Sequence, residues 1–66
     1  MDFEKEQFYH LETAKHYSDM GSTKRANTHT EASYLAMLVT QKRANEKVYT
    51  EFLKTNNVRG YAKATI

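Results

Sequence analysis

Cysteine, proline and tryptophan are absent from this sequence, and glycine occurs only twice. Without cysteine there is neither a disulfide nor a thiolate metal site, so a small core must be supported by helix packing or by oligomerisation. That support matters, because chains of this size bury only roughly 60 % of the surface their unfolded form exposes. A cysteine-free composition also fits a reducing compartment. Without proline, and with glycine confined to positions 21 and 60, long windows carry no helix breaker. β-Branched residues are scattered rather than alternating with polar ones, and the expected fold class is all-α.

Long apolar runs are missing as well. The longest, Tyr34 to Val39, is far short of the roughly 20 residues a membrane-spanning helix needs. The opening MDFEKEQF lacks the basic-then-apolar order of a secretory signal. A cytoplasmic protein without a membrane span is therefore expected.

The net charge of +2 hides an asymmetry. Residues 1–21 hold five carboxylates against two cations, and residues 22–66 hold eight cations against three carboxylates. Either two helices complement each other or a basic surface faces an acidic partner.

Two helices are expected. Asp2 suits an N-cap, with Glu4 and Glu6 near the positive end of the helix dipole, and Gly21 supplies the left-handed residue that closes a helix near residue 20. Phe3, Leu11, Ala14 and Tyr17, with His10 among them, recur at three- and four-residue spacing and form the candidate buried face. Thr28 and Glu31 have capping-box spacing, so a second helix is expected over about 28–54, ahead of the TNN at 55–57. Residues 1–54 thus read as an antiparallel helical hairpin domain and 55–66 as a C-terminal tail.

Within the second helix, Leu35, Leu38, Val39, Lys42, Glu46, Tyr49 and Leu53 share one stripe at 100° per residue. The stripe is polar in its middle. A first helix of ~18 residues spans about 27 Å and a second of ~27 residues about 40 Å. In the hairpin, Asp2, Glu4 and Glu6 would therefore meet Lys42, Arg43 and Lys47, while Val48, Tyr49, Phe52 and Leu53 would project beyond the first helix. Burying such side chains is worth roughly 1.5 to 3 kcal/mol each. The overhang needs a cover, which a second copy, another protein, or the tail through Val58, Tyr61 and Ile66 could supply. A homodimer forming a helical bundle is expected, since closed pairs are the commonest oligomers. Phe8 and Tyr9, off the main stripe, would widen the interaction surface.

Constellations for chemistry are sparse. Glu6 with His10, and Glu12 with His16, have the spacing of paired metal ligands. His10 and His16 lie about 240° apart around the helix, however, and His29 falls in the expected turn, so no metal or cofactor is expected. His16, Ser18 and Asp19 do not converge on a helix, a hairpin offers no cleft for nucleophilic catalysis, and no glycine-rich phosphate loop occurs. No small-molecule substrate is expected. The function these residues favour is a non-enzymatic protein-interaction module, a regulator, adaptor or assembly element, with Val48, Tyr49, Phe52, Leu53, Phe8 and Tyr9 as its contact residues. The alternative is a small basic DNA- or RNA-binding protein using Lys42, Arg43 and Lys47, with Arg59, Tyr61 and Lys63 of the tail.

Overall fold

The computed structural model describes residues 1–64, with the side chains of 63 and 64 excepted. The described residues form four helices: α1 (Phe3–Asp19), α2 (Thr23–Thr40), α3 (Glu46–Thr55) and the short α4 (Tyr61–Ala64). The all-α expectation is met. Ile66 and the Lys63 side chain lie outside the described residues.

Local chemistry sets the ends of α1. The Asp2 carboxylate accepts the N–H groups of Glu4 and Lys5 at 3.1 and 3.2 Å, which pairs donors that the first turn leaves free. At the other end Gly21 takes φ +81°. The N–H of Ser22 then reaches the Tyr17 carbonyl (2.8 Å) and that of Gly21 the Ser18 carbonyl (3.0 Å), the paired bonds of a Schellman ending.

The second helix departs from expectation at both ends. It begins at Thr23, and Thr28 sits inside it with its hydroxyl donating to the Lys24 carbonyl at 3.0 Å. Thr28 and Glu31 therefore form no capping box. It ends at Thr40, so the continuous helix over 28–54 is corrected to two helices. Lys42 adopts φ +60°, and the N–H groups of Lys42 and Arg43 close on the carbonyls of Val39 (3.0 Å) and Leu38 (2.8 Å). This repeats the ending of α1 with lysine where glycine is usual, a substitution that strains the backbone modestly. Asn45 then caps α3, its side-chain oxygen accepting the Val48 N–H at 3.0 Å. A third ending of the same kind follows at Asn57, φ +55°, with Val58 N–H on the Leu53 carbonyl at 2.9 Å.

α1 and α2 pack as a hairpin: Tyr17 meets Arg25 and His29, His10 meets His29, and Phe3 lies in one cluster with Ala36. The face of α2 is built from small residues, with Ala26, Ala32, Ser33 and Ala36 all buried. Small side chains bring the helix backbones close together and leave little volume of their own, so the large core groups come from elsewhere.

They come from the break. Because the chain reverses at 41–45, α3 packs back on the hairpin and delivers Tyr49 into its core, with no exposed surface. Its ring meets Phe3 edge-to-face at 5.3 Å and 80°, with Leu35, Val39 and Leu53 around them. α1 and α2 have 17 and 18 residues, so the expected overhang of one long rod is gone. Phe52 and Leu53 are half-buried within the chain, while Val48 is exposed. Leu11, expected on the buried face, is exposed, and Glu6, expected in a surface ion pair, is buried. The polar middle of the stripe is the outside of a turn.

Candidate functional site

A linked set of four polar side chains, Glu6, His10, His29 and Tyr49, occupies the interior between α1, α2 and α3. On α1, Phe3, Glu6, His10 and Ala14 recur at three- and four-residue spacing and are all buried. On α2, Ala26, His29, Ser33 and Ala36 do the same. The two histidines thus face each other, and Tyr49 arrives from α3 between His10 and Glu6. Glu6 is 1 % exposed, His10 0 % and His29 7 %.

These groups form a directional chain of hydrogen bonds. The Glu6 carboxylate accepts the Tyr61 N–H on Oε1 at 3.0 Å, the Ala62 N–H on Oε2 at 2.9 Å, and the Tyr49 hydroxyl. Since Tyr49 spends its proton on Glu6, its oxygen must accept from His10 Nε2–H, 2.8 Å away. His10 Nδ1 is then a lone pair, and it accepts from His29 Nδ1–H at 2.9 Å. A neutral imidazole carries one N–H, so His29 Nε2 is left as an acceptor. Among the described residues nothing bonds that nitrogen, and no buried polar side-chain atom lacks a partner. His29 Nε2 therefore opens onto the cleft that its side chain lines.

Burial sets the protonation of the chain. Desolvation, reinforced by His29 and opposed by Glu6, lowers the pKa of His10 to about 4. Desolvation also lowers that of His29 from its ordinary 6.5. Burial first, and then the Glu6 carboxylate, hold the Tyr49 phenol well above its usual value. Near neutral pH both imidazoles are uncharged and the phenol keeps its proton, as the hydrogen-bond directions require. Gly60 passes against the far end of the chain. A Cβ there would run into the Glu6 carboxylate and lie 3.0 Å from the Tyr49 hydroxyl, so close backbone approach, not a positive φ, calls for glycine.

The cleft has a volume of about 770 Å³ and lies between the Tyr9 and Tyr17 side of α1, the first turns of α2, and residues 56–59. Tyr17 stacks on His29 at 5.6 Å and 21°, and the Arg25 guanidinium lies 5.6 Å from the Tyr17 centroid. Tyr9 meets His10, His29 and Tyr61 edge-on. The hydroxyls of Thr13 and Thr28 donate to carbonyls of their own helices. Three cations, Lys24, Arg25 and Arg59, line the cleft and no carboxylate does. None of the three makes an ion pair among the described residues. The adjoining start of α2 is also bare: Ser22 makes no side-chain cap and the first turn has no acid. α1 and α3, in contrast, have both. Such a start carries partial positive charge.

The six contact residues expected from the sequence do not form one exposed surface, and the two that meet, Tyr49 and Leu53, do so in the core. Tyr49 is core, Tyr9 is cleft wall, Phe52 and Leu53 are half-buried, and Phe8 and Val48 face solvent. The basic set is divided as well. Lys42 and Arg43 occupy the α2–α3 turn with Lys47 just beyond, Arg59 is in the cleft, and Tyr61 lies between Tyr9 and Lys5. His29, expected in a turn, is inside α2, and a cleft exists where a bare hairpin offers none. The described residues hold no group of three or more His, Asp or Glu placed to share a metal. His10 on a buried stripe, four residues from Glu6, was the legible signal for the polar chain. Nothing local marked Lys24, Arg25 and Arg59 as neighbours. Comparison of the chain with family models, curated proteins and solved structures gives no match.

Proposed function

We propose that this chain is a small non-enzymatic recognition module, a regulator, adaptor or assembly element, that takes an acidic segment of a partner protein into the cleft over His29. The observation that carries this reading is the convergence of Lys24, Arg25 and Arg59, without ion pairs of their own, on a cleft that no carboxylate lines. Cations held without a local counter-charge raise the local concentration of an anionic partner and strengthen its binding once water is displaced. The bare first turn of α2 adds to the same field. Compared with the apolar overhang inferred from sequence, the contact surface moves from the far end of the molecule to this cleft.

The alternative, a small basic DNA- or RNA-binding protein, has support in Lys42, Arg43 and Lys47, which are exposed around one turn. Fluorescence anisotropy with a labelled glutamate-rich peptide and a labelled oligonucleotide separates the two. The first reading expects peptide binding that disappears in Lys24→Gln/Arg25→Gln/Arg59→Gln and persists in Lys42→Gln/Arg43→Gln/Lys47→Gln. Oligonucleotide binding that is lost in the second triple variant, with no peptide binding, contradicts it.

A further inference from the structure

The cleft combines two features that a simple anion does not satisfy together. Its cations attract negative charge, yet His29 Nε2, the accessible nitrogen of an otherwise buried side chain, is an acceptor because the chain from Glu6 fixes its direction. A ligand oxygen placed against a lone pair is repelled unless a proton lies between them. We infer that the cleft recognises a phosphomonoester, specifically a phosphoserine or phosphothreonine side chain, with one protonated phosphate oxygen donating to His29 Nε2 and the remaining oxygens facing Lys24, Arg25 and Arg59. This rests on the acidic-partner reading above and narrows it.

A phosphomonoester has a second pKa of about 6, so near neutral pH it retains or takes up one proton at little cost. Carboxylates titrate about two units lower, and sulfate and phosphodiesters carry no such proton, so opposite each of them the nitrogen meets a bare oxygen unless the imidazole itself takes up a proton, which its burial opposes. The complex contains one shared proton, drawn from the phosphate monoanion or from solvent. The titratable and charged groups facing His29 are Tyr9, His10 and Tyr17 from α1, with Lys24, Arg25 and Arg59 along the cleft. None is a carboxylate that would supply the proton instead. The carrier follows from the walls. Tyr17, the ring beside His29, is stacked on that imidazole and has the Arg25 guanidinium over it, so it is already engaged where a nucleobase would stack. Asn57 and the second N–H of Asn56 remain as hydrogen-bonding groups suited to a peptide backbone.

Calorimetric titration of the full chain at about pH 6, near the phosphomonoester pKa, with matched ionic strength, tests this. The probes are N-acetyl-O-phosphoserine amide, inorganic phosphate, sulfate, dimethyl phosphate and the glutamate-rich peptide. Phosphoserine amide should bind about tenfold or more tightly than sulfate and dimethyl phosphate, the scale of leaving a buried acceptor unpaired, and more tightly than inorganic phosphate. Binding should be accompanied by proton uptake in buffers of different ionisation enthalpy. In His29→Asn, which keeps an amide near the Nδ1 position and deletes Nε2, the preference should vanish. The wild-type series decides the matter even if that variant does not fold. A smaller ratio overturns the phosphomonoester assignment, and glutamate-peptide binding that persists alongside it leaves the acidic-partner reading standing. Inorganic phosphate binding as tightly as phosphoserine amide overturns the peptide carrier. No binding of any probe, the glutamate peptide included, overturns both readings.

Discussion

Replacing Tyr49 by phenylalanine removes one oxygen from the core and keeps the ring that packs on Phe3. The oxygen is bonded on both sides, to the Glu6 carboxylate and to His10 Nε2. Its loss leaves a buried N–H without an acceptor and a buried carboxylate short of one donor, although Glu6 keeps the Tyr61 and Ala62 amides. An unsatisfied buried group costs roughly 1–3 kcal/mol, more when charged, so Tyr49→Phe should destabilise the fold by about 2–4 kcal/mol. In a domain of this size each kcal/mol moves the midpoint about 4–8 °C, so a fall of at least roughly 8 °C in thermal denaturation follows. Urea denaturation followed by circular dichroism measures the free energy directly, and the slope should be unchanged if the native state stays equally compact. A double-mutant cycle with Glu6→Gln should give a coupling of about 0.5–3 kcal/mol, as expected for groups in direct contact. Were Tyr49 on an exposed overhang, losing its hydroxyl would cost little. A change within about 0.5 kcal/mol, the ordinary range of surface substitutions, would refute the buried chain.

Other consequences follow from the same geometry. His10 titrates at about 4 in the fold against 6.5 when exposed, so between those values the unfolded chain binds more protons and stability falls as pH falls. The loss is about 3 kcal/mol from this group, with the lowered His29 acting in the same direction. Urea midpoints that stay flat from neutral pH down to about 4.5 would rule it out. Lys42→Gly should stabilise the fold by roughly 1 kcal/mol because the residue is left-handed, whereas in a continuous helix the same change would destabilise by a similar amount. The sign of the shift in urea midpoint therefore decides between one helix and two. Gly60→Ala should destabilise through its clash with Glu6, seen as a lower thermal midpoint, and an unchanged midpoint would place residue 60 away from the polar chain.

The helical class and the limits of α1 were legible because their signals are local: an aspartate cap, a glycine at the end, a periodic face. The break after Thr40 was obscured for two physical reasons. The residue that turns the chain is a lysine in a conformation that usually selects glycine, and Leu35, Leu38, Val39, Tyr49 and Leu53 keep helical phase across the turn as if the rod continued. Asn45 followed by Glu46 is a recognisable helix start, but a single cap is a weak signal beside that periodicity. With one long rod, Tyr49 belongs outside and Glu6 belongs in a surface pair, whereas with two rods they meet in the core. The cleft was illegible because Lys24 and Arg59 lie far apart in sequence and become neighbours only when α3 returns along the hairpin.

The direction of the hydrogen-bond chain is most directly read from the imidazole nitrogens. In a ¹⁵N-labelled sample near neutral pH, long-range proton–nitrogen correlation should identify His10 as the Nε2–H tautomer and His29 as the Nδ1–H tautomer, with a scalar coupling across the bond joining their Nδ1 atoms. Finding His29 protonated on Nε2, or no coupling between the two rings, would contradict the account at its centre.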